Sequence, residues 1–220
     1  MRVGRPRWNG LTEDGPPDAR HLGYESLRDM RWFRSTRSLP GHGVAVSNTS
    51  DSERPLVVTL RLDRPARERF EAERTALFPG GRTAVGAHVT LFHALPGYLR
   101  QEVEAELGRL AGSLPLPVEI AGVVALGRGV AYGLAAPQVQ VIHRRLQDRW
   151  HTHLTRQDAQ PLRLHVTVQN KVEPDVAKAT FERLRDSFRP GRTRAVGLEL
   201  WRYDGGPWIL LRRWEPDSAG

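Results

Sequence analysis

The chain contains no cysteine, which excludes disulfide frameworks and thiolate zinc sites. No stretch approaches the roughly 20 consecutive apolar residues that a bilayer-spanning helix requires, so no membrane partner is expected. The basic opening, Met1 to Asn9, is followed by no apolar run. A secretory leader is therefore not expected, and a cytoplasmic location is the default. Lysine is almost missing: Lys171 and Lys178 are the two, and arginine supplies the rest of the 33 basic side chains. A GC-rich genome produces that bias by itself, and it leaves the chain without a lysine-rich platform for RNA.

What is present suits a soluble globular protein. Hydrophobic residues make up 39% of the chain and charged residues 26%, and 220 residues suffice for one sizeable domain or two small lobes sharing a core. The formal charge of +8 and pI near 10.8 attract phosphate-bearing partners. Arginine serves that purpose well, because its planar fork donates two hydrogen bonds at once.

Residues 1–54 mix Gly, Pro, Arg and Ser without sustained periodicity and read as a loosely ordered basic arm. Within it a short helix over Tyr24–Phe33 is compatible with the pattern, Ser47 to Ser52 reads as a loop, and Met30 is an alternative start. Residues 55–214 form the domain, and 215–220 a tail. Leu56, Val58, Leu60 and Leu62 alternate as a strand does. Pro65 opens a helix to about Phe78, carrying Phe70, Arg74 and Leu77 on related turns. A strand is predicted over Ala87–His93, and a helix from Pro96-Gly97 with Leu99, Val103, Leu107 and Leu110 in its stripe. Strands over Pro117–Val124 and Val130–Ala135 flank a Gly127-Arg128-Gly129 turn. Pro137 opens a helix with Val139, Ile142, Leu146 and Trp150 on one side, and Leu162–Gln169 is a strand. Pro174 opens the last helix, followed by a hairpin of Ala195–Tyr203 and Trp208–Trp214 around Asp204-Gly205-Gly206-Pro207.

Shifting the first half by 77 residues places His88 on His165, Gly97 on Pro174, Val118 on Ala195 and the first strand on the strand from Val130. The order strand, helix, strand, helix, strand thus occurs twice, around 55–124 and 130–203. Such a duplication predicts two lobes facing each other across a pseudo-twofold cleft.

The chemistry lies on two of these strands, His88-Val89-Thr90-Leu91 and His165-Val166-Thr167-Val168. A His-x-Thr triplet alone means little, since eight histidines and twelve threonines give about 0.4 by chance. A third, His153-Leu154-Thr155, has no counterpart at the 77-residue offset and is set aside. The matched pair agrees in its middle residue, its aliphatic follower and its place in the repeat. On a strand, His and Thr two residues apart share a face, roughly 6–7 Å apart. Two imidazoles able to exchange protons near neutrality, on opposite sides of one phosphate, suit in-line displacement. Threonine hydroxyls can donate to the non-bridging oxygens as charge develops. No metal or other cofactor is expected: His143, His151 and His153 lack the spacing of a zinc helix.

These paired motifs resemble those of the two-histidine (2H) phosphoesterases, which include bacterial 2′–5′ RNA ligase and cyclic nucleotide phosphodiesterase proteins. The resemblance runs from about Pro55 to Trp214. It implies an α+β, internally duplicated bilobal fold with two mainly antiparallel sheets, outer helices and a central cleft. It also implies His88 as general acid and His165 as general base in opening a 2′,3′-cyclic phosphate to a 2′-phosphate, with Thr90 and Thr167 holding the phosphate. Many members carry an arginine soon after the second motif; here Gln169, Asn170 and Lys171 follow, leaving Lys171 as a further candidate for the phosphate.

Phe92, by alternation on the face of His88, and Tyr203 and Trp208, flanking the hairpin turn, are candidates for stacking on a base. Strict alternation turns His93 to the opposite face, so it is read as a packing or surface residue. The expected partners are RNA ends, oligonucleotides or small nucleotides, met by a monomer. Two other functions use the same cleft: a nucleotide- or RNA-binding module without turnover, and RNA ligation, which runs the same acid and base in reverse.

Overall fold

In the computed structural model, which describes residues 54–79, 85–203, 205 and 207–216, the alternating Leu56, Val58, Leu60 and Leu62 point into the core from strand β1 (Leu56–Leu62). The basic arm, apart from its last residue, and the end of the tail lie outside the described residues, as do the helix, loop and alternative start expected there. Asp63 ends β1 and starts helix α1 (Arg64–Leu77) by accepting the Ala66 N–H at 3.1 Å, with Pro65 in the first turn. Strand β2 (Val89–Leu95), helix α2 (Arg100–Ala111) and strand β3 (Leu116–Ala125) complete the first half. Strand β4 (Val130–Ala135), helix α3 (Pro137–Arg149), strand β5 (His165–Gln169), helix α4 (Pro174–Ser187) and strand β6 (Gly191–Tyr203) repeat that order, and β7 (Trp208–Trp214) follows. The class is α+β with antiparallel pairing throughout. No described helix is long and apolar enough to cross a membrane.

The ladders join all seven strands rather than forming two separate sheets. The join is β6, which starts at Gly191 instead of Ala195. Its first residues pair with β3, and its later ones with β1 on one side and β7 on the other. Arg192 and Arg194 hide this extension in the sequence, yet they are its exposed positions, alternating with buried Thr193 and Ala195. Each half has the same neighbours: β1 lies between β2 and β6, and β4 lies between β5 and β3. The last strand of each half thus pairs with the first strand of the other. Phe70 of α1, Val103 and Leu107 of α2, and Val139 and Leu146 of α3 close over the apolar face.

The paths β2-β1-β6 and β5-β4-β3 leave β2 and β5 as edges. These two edges touch without ladder hydrogen bonds between them. Gly129, in the β3–β4 turn, lets that turn pass the end of β5: a Cβ there would lie 2.1 Å from the Gln169 carbonyl.

Candidate active site

The two histidines open the edge strands in the same way. His88 stands just ahead of the β2 ladder, and its Nδ1–H donates to the Gly86 carbonyl at 2.7 Å. His165 begins β5, and its Nδ1–H donates to the Arg163 carbonyl at 2.7 Å. Each ring is hooked to the backbone two residues before it, which fixes the tautomer and leaves Nε2 unprotonated in the neutral form. Val89, Leu91, Val166 and Val168 are buried behind, while Thr90 and Thr167 are half-buried on the side of the histidines. The rings lie near enough for the charge of His165 to act on His88.

Alternation then breaks at matching places. On β2, Thr90 pairs with Thr59, but the next partner, Val58, pairs with Phe92. On β5, Thr167 pairs with Ala131, but the next partner, Val130, pairs with Gln169. Each strand carries one extra residue directly after its threonine, a β-bulge. The bulge on β2 turns Phe92 away from the cleft. Phe92 is fully buried, stacked on His143 with ring centroids 4.6 Å apart and edge-on to Trp150 at 5.4 Å. The expectation that Phe92 stacks on a base is therefore corrected: the register slip places it in the core. The same slip brings half-buried His93 round to the side of His88, where its charge acts on both His88 and His165. Gln169 is likewise turned inward and donates to Thr180 Oγ1 at 3.0 Å.

Two buried side chains satisfy the unpaired carbonyls of the edge strands. Arg74 of α1 donates to the Thr167 carbonyl of β5 at 2.6 Å and to the Val85 carbonyl, ahead of β2, at 2.9 Å. His143 of α3 donates through Nε2 to the Leu91 carbonyl of β2 at 3.0 Å. Each thus ties a helix of one half to the edge strand of the other. Asp158, with its side chain fully buried, accepts the backbone N–H of His93 at 2.8 Å, that of Ala94 at 3.0 Å and His93 Nδ1–H at 3.0 Å. Burial alone would raise the Asp158 carboxyl, but these hydrogen bonds outweigh it and hold it below the usual carboxylate range.

Burial pushes the His88 imidazole down to about 4, and the charges of Arg74, His165 and His93 add to that, against the opposing bond to Gly86. Burial also lowers His165, opposed by its bond to Arg163 and helped by His93. Both shifts favour the neutral rings at pH 7. A phosphate beside them would supply the negative charge that favours a proton on either one.

Trp208 of β7 comes against His88, with ring centroids 5.2 Å apart, and Trp201 lies 6.2 Å from Trp208. Trp201 donates to Thr59 Oγ1 at 2.9 Å. A cavity of about 290 Å³ opens beside His88, lined by Gly86, Trp201, Arg61, Arg67, Arg213 and Glu199 among others. Two of these guanidiniums are matched by carboxylates, Arg213 bonding Glu199 at 2.8 Å and Arg61 pairing with Glu215, while Arg67 donates to the Leu62 carbonyl at 3.0 Å. Tyr203 pairs with Trp208 across the β6–β7 ladder and is half-buried. Lys171 stands beyond β5 on an exposed left-handed turn, its N–H bonded to Asn170 Oδ1 at 2.8 Å. Among the described residues, no three His, Asp or Glu side chains are grouped to hold a metal ion.

Sequence reasoning missed His93, Asp158 and Arg74. The signals for the first and last were present: two adjacent apolar residues, Leu91-Phe92, interrupt the alternation, and Arg74 sits in an otherwise apolar helical stripe. Asp158 lies in a loop without periodicity and gave none.

One solved structure shares this fold, and others resemble it more distantly. A solved structure, TT0787 of Thermus thermophilus, is similar with a TM-score of 0.53 at 15% identity, over 76% of this chain and 100% of that one. E. coli LigT complexed with NADP+ gives 0.49 at 17% identity, over 75% and 98%. Kluyveromyces marxianus Usb1 with uridine monophosphate gives 0.34 at 15% identity, over 73% and 98%. No curated protein matches. The family profile described as the 2′-5′ RNA ligase superfamily matches residues 62–207. With its paired His-Val-Thr strands inside that span, the chain belongs to this superfamily of two-histidine phosphoesterases.

Proposed function

We propose that this protein is a metal-independent phosphodiesterase that opens 2′,3′-cyclic phosphates, or 2′–5′ linkages, on RNA ends or nucleotides by paired-histidine acid–base catalysis. The observation that carries this reading is the matched pair of imidazoles, each hooked through Nδ1 to the carbonyl two residues before it. With Nδ1 occupied, Nε2 is the atom left to exchange a proton with substrate. In the step proposed, His165 takes a proton from water as its oxygen attacks phosphorus. The bond from phosphorus to O3′ breaks, and His88 gives O3′ its proton. The product is a 2′-phosphate. Thr90 and Thr167 donate to the non-bridging oxygens as charge builds there.

Ligation of RNA ends is the same chemistry in reverse, with a ribose hydroxyl in place of water, and the superfamily to which the chain belongs keeps it in view. The test is a product screen in EDTA. 2′,3′-Cyclic nucleotides, 2′–5′ oligonucleotides and RNA with cyclic ends are offered, and the phosphate position in each product is identified. Turnover is expected, with His88→Ala and His165→Ala each lowering it about 10²–10⁴-fold. Full activity in both variants would refute the mechanism. Tight nucleotide binding with no turnover of any substrate would identify a binding module instead.

A further inference from the structure

We propose that His93 is a third imidazole of the cleft, contacting the phosphate of the substrate, with Asp158 as the positioning residue that holds it there. The inference rests on the reading above in that it places a phosphate between His88 and His165.

Three observations lead to it. First, the bulge after Thr90 reverses the facing of everything beyond it, so His93 shares the side of His88 although it lies five residues on. A second slip, between Phe92 and Leu95, sets His93 and Ala94 together opposite Val57. Second, one carboxylate fixes this irregular stretch: Asp158 takes both backbone N–H groups and the ring Nδ1–H. Asp158 is itself anchored, its N–H donating to Thr155 Oγ1 at 3.1 Å and its carbonyl accepting from Gln147 of α3 at 2.7 Å. The ring is thus oriented from the opposite half of the molecule, and Nε2 is its remaining polar atom. Third, the charge of His93 acts on both catalytic imidazoles. A half-exposed ring in that position lies within electrostatic reach of whatever stands between them.

A carboxylate–imidazole pair is well suited to an anion. With Nδ1–H bonded to Asp158, a ring carrying both protons has Nε2–H left to donate to a phosphate oxygen as a charge-assisted hydrogen bond. Asp158 also faces no empty space of its own, so removing it disturbs the backbone. The decisive variant is therefore at His93.

In His93→Asn the amide nitrogen falls near the place of Nδ1, which keeps a bond to Asp158 but deletes Nε2. In His93→Gln the amide falls near Nε2, which keeps a donor toward the cleft. The probes are 2′,3′-cyclic AMP as substrate and inorganic phosphate as competitive inhibitor, with the full chain. His93→Asn is expected to raise KM about tenfold and weaken phosphate inhibition by the same factor, with kcat falling less than about threefold. His93→Gln is expected to recover part of both losses. Unchanged KM and phosphate inhibition in a folded His93→Asn protein would overturn the proposal, as would a loss confined to kcat. A second measurement is independent of turnover: phosphate is titrated into the wild type while the imidazole ring signals are followed by NMR. If cyclic nucleotides are not turned over but phosphate moves the His88, His165 and His93 signals, the phosphodiesterase reading fails and this inference stands. If cyclic nucleotides are turned over and His88 and His165 respond while His93 does not, the phosphodiesterase reading stands and this inference fails. No response from any of the three sinks this inference, and the phosphodiesterase reading is then decided by turnover.

Discussion

The β2 and β5 strands begin alike and end differently. Each starts with a histidine hooked to a carbonyl, buries an aliphatic residue behind it, presents a threonine and then bulges. Beyond the bulge, β2 carries His93 under the grip of Asp158, whereas β5 runs into Asn170 and the exposed turn of Lys171. Around the histidines the contrast continues. His88 has Trp208 against its ring, a cavity beside it and the charge of Arg74 acting on it; the forces on His165 are burial, its backbone bond and His93. In the function proposed, what the strands share would hold one phosphate between two proton carriers. What they do not share would decide which carrier is which, and what the phosphate is attached to.

The largest expected effect separates the two proton roles. An aryl phosphodiester releases a phenolate that needs little help from an acid. If His88 is the acid, His88→Ala should lose about 10²–10⁴-fold on a cyclic nucleotide but less than about tenfold on the aryl ester. His165→Ala should stay crippled on both. Reading the two ratios in one assay sharpens the comparison, and the opposite pattern exchanges the roles.

Next in size is the strap between the strands. Arg74→Met removes the donors to the Thr167 and Val85 carbonyls, which should cost about 1–3 kcal/mol of stability, measured by urea unfolding. Burial is the main cause that holds His88 down at about 4, and the positive charge of Arg74 adds to it, so the His88 imidazole should rise when that charge is removed. For an acid that must be protonated, kcat/KM is full below the pKa of the free protein and falls as pH climbs through it. The falling limb should therefore move to higher pH in Arg74→Met. A limb that stays in place, or moves to lower pH, would mean that Arg74 does not act on the residue that titrates.

How much of this was legible depends on whether a feature is periodic. The buried alternation of β1 and the stripes of the helices emerged where expected, because burial imposes the periods of 2.0 and 3.6 on the sequence. The constant offset between His88 and His165 survived into matching strand neighbours for the same reason. The two bulges did not. A slip in register costs one residue and leaves no period behind, so Phe92 and His93 were each assigned to the wrong side. Leu91-Phe92 at least hinted at it; in Val168-Gln169 a polar residue is the one turned inward, its amide N–H bonded to Thr180, and nothing in the pattern foretells that. Long-range straps are harder still. Arg74 and Asp158 act on strands 93 and 65 residues away, and no local rule connects them.

The smallest effect tests the outer wall of the cleft, where the two halves differ most. Trp208 leans on His88 at a tilt of 50° from β7, a strand that follows the repeat and has no counterpart in it. It therefore contacts one histidine and not its mate. If the base of the substrate rests on that indole, Trp208→Ala should raise KM for a cyclic nucleotide about fivefold, the low end of the range for one stacking contact, because the ring is already half-covered. The aryl ester should lose less than the nucleotide, and a bare cyclic ribose phosphate, which has no base, should lose nothing. Equal losses on all three would place the tryptophan's role in supporting the His88 ring, and the asymmetry of the cleft would then serve proton transfer rather than the choice of substrate.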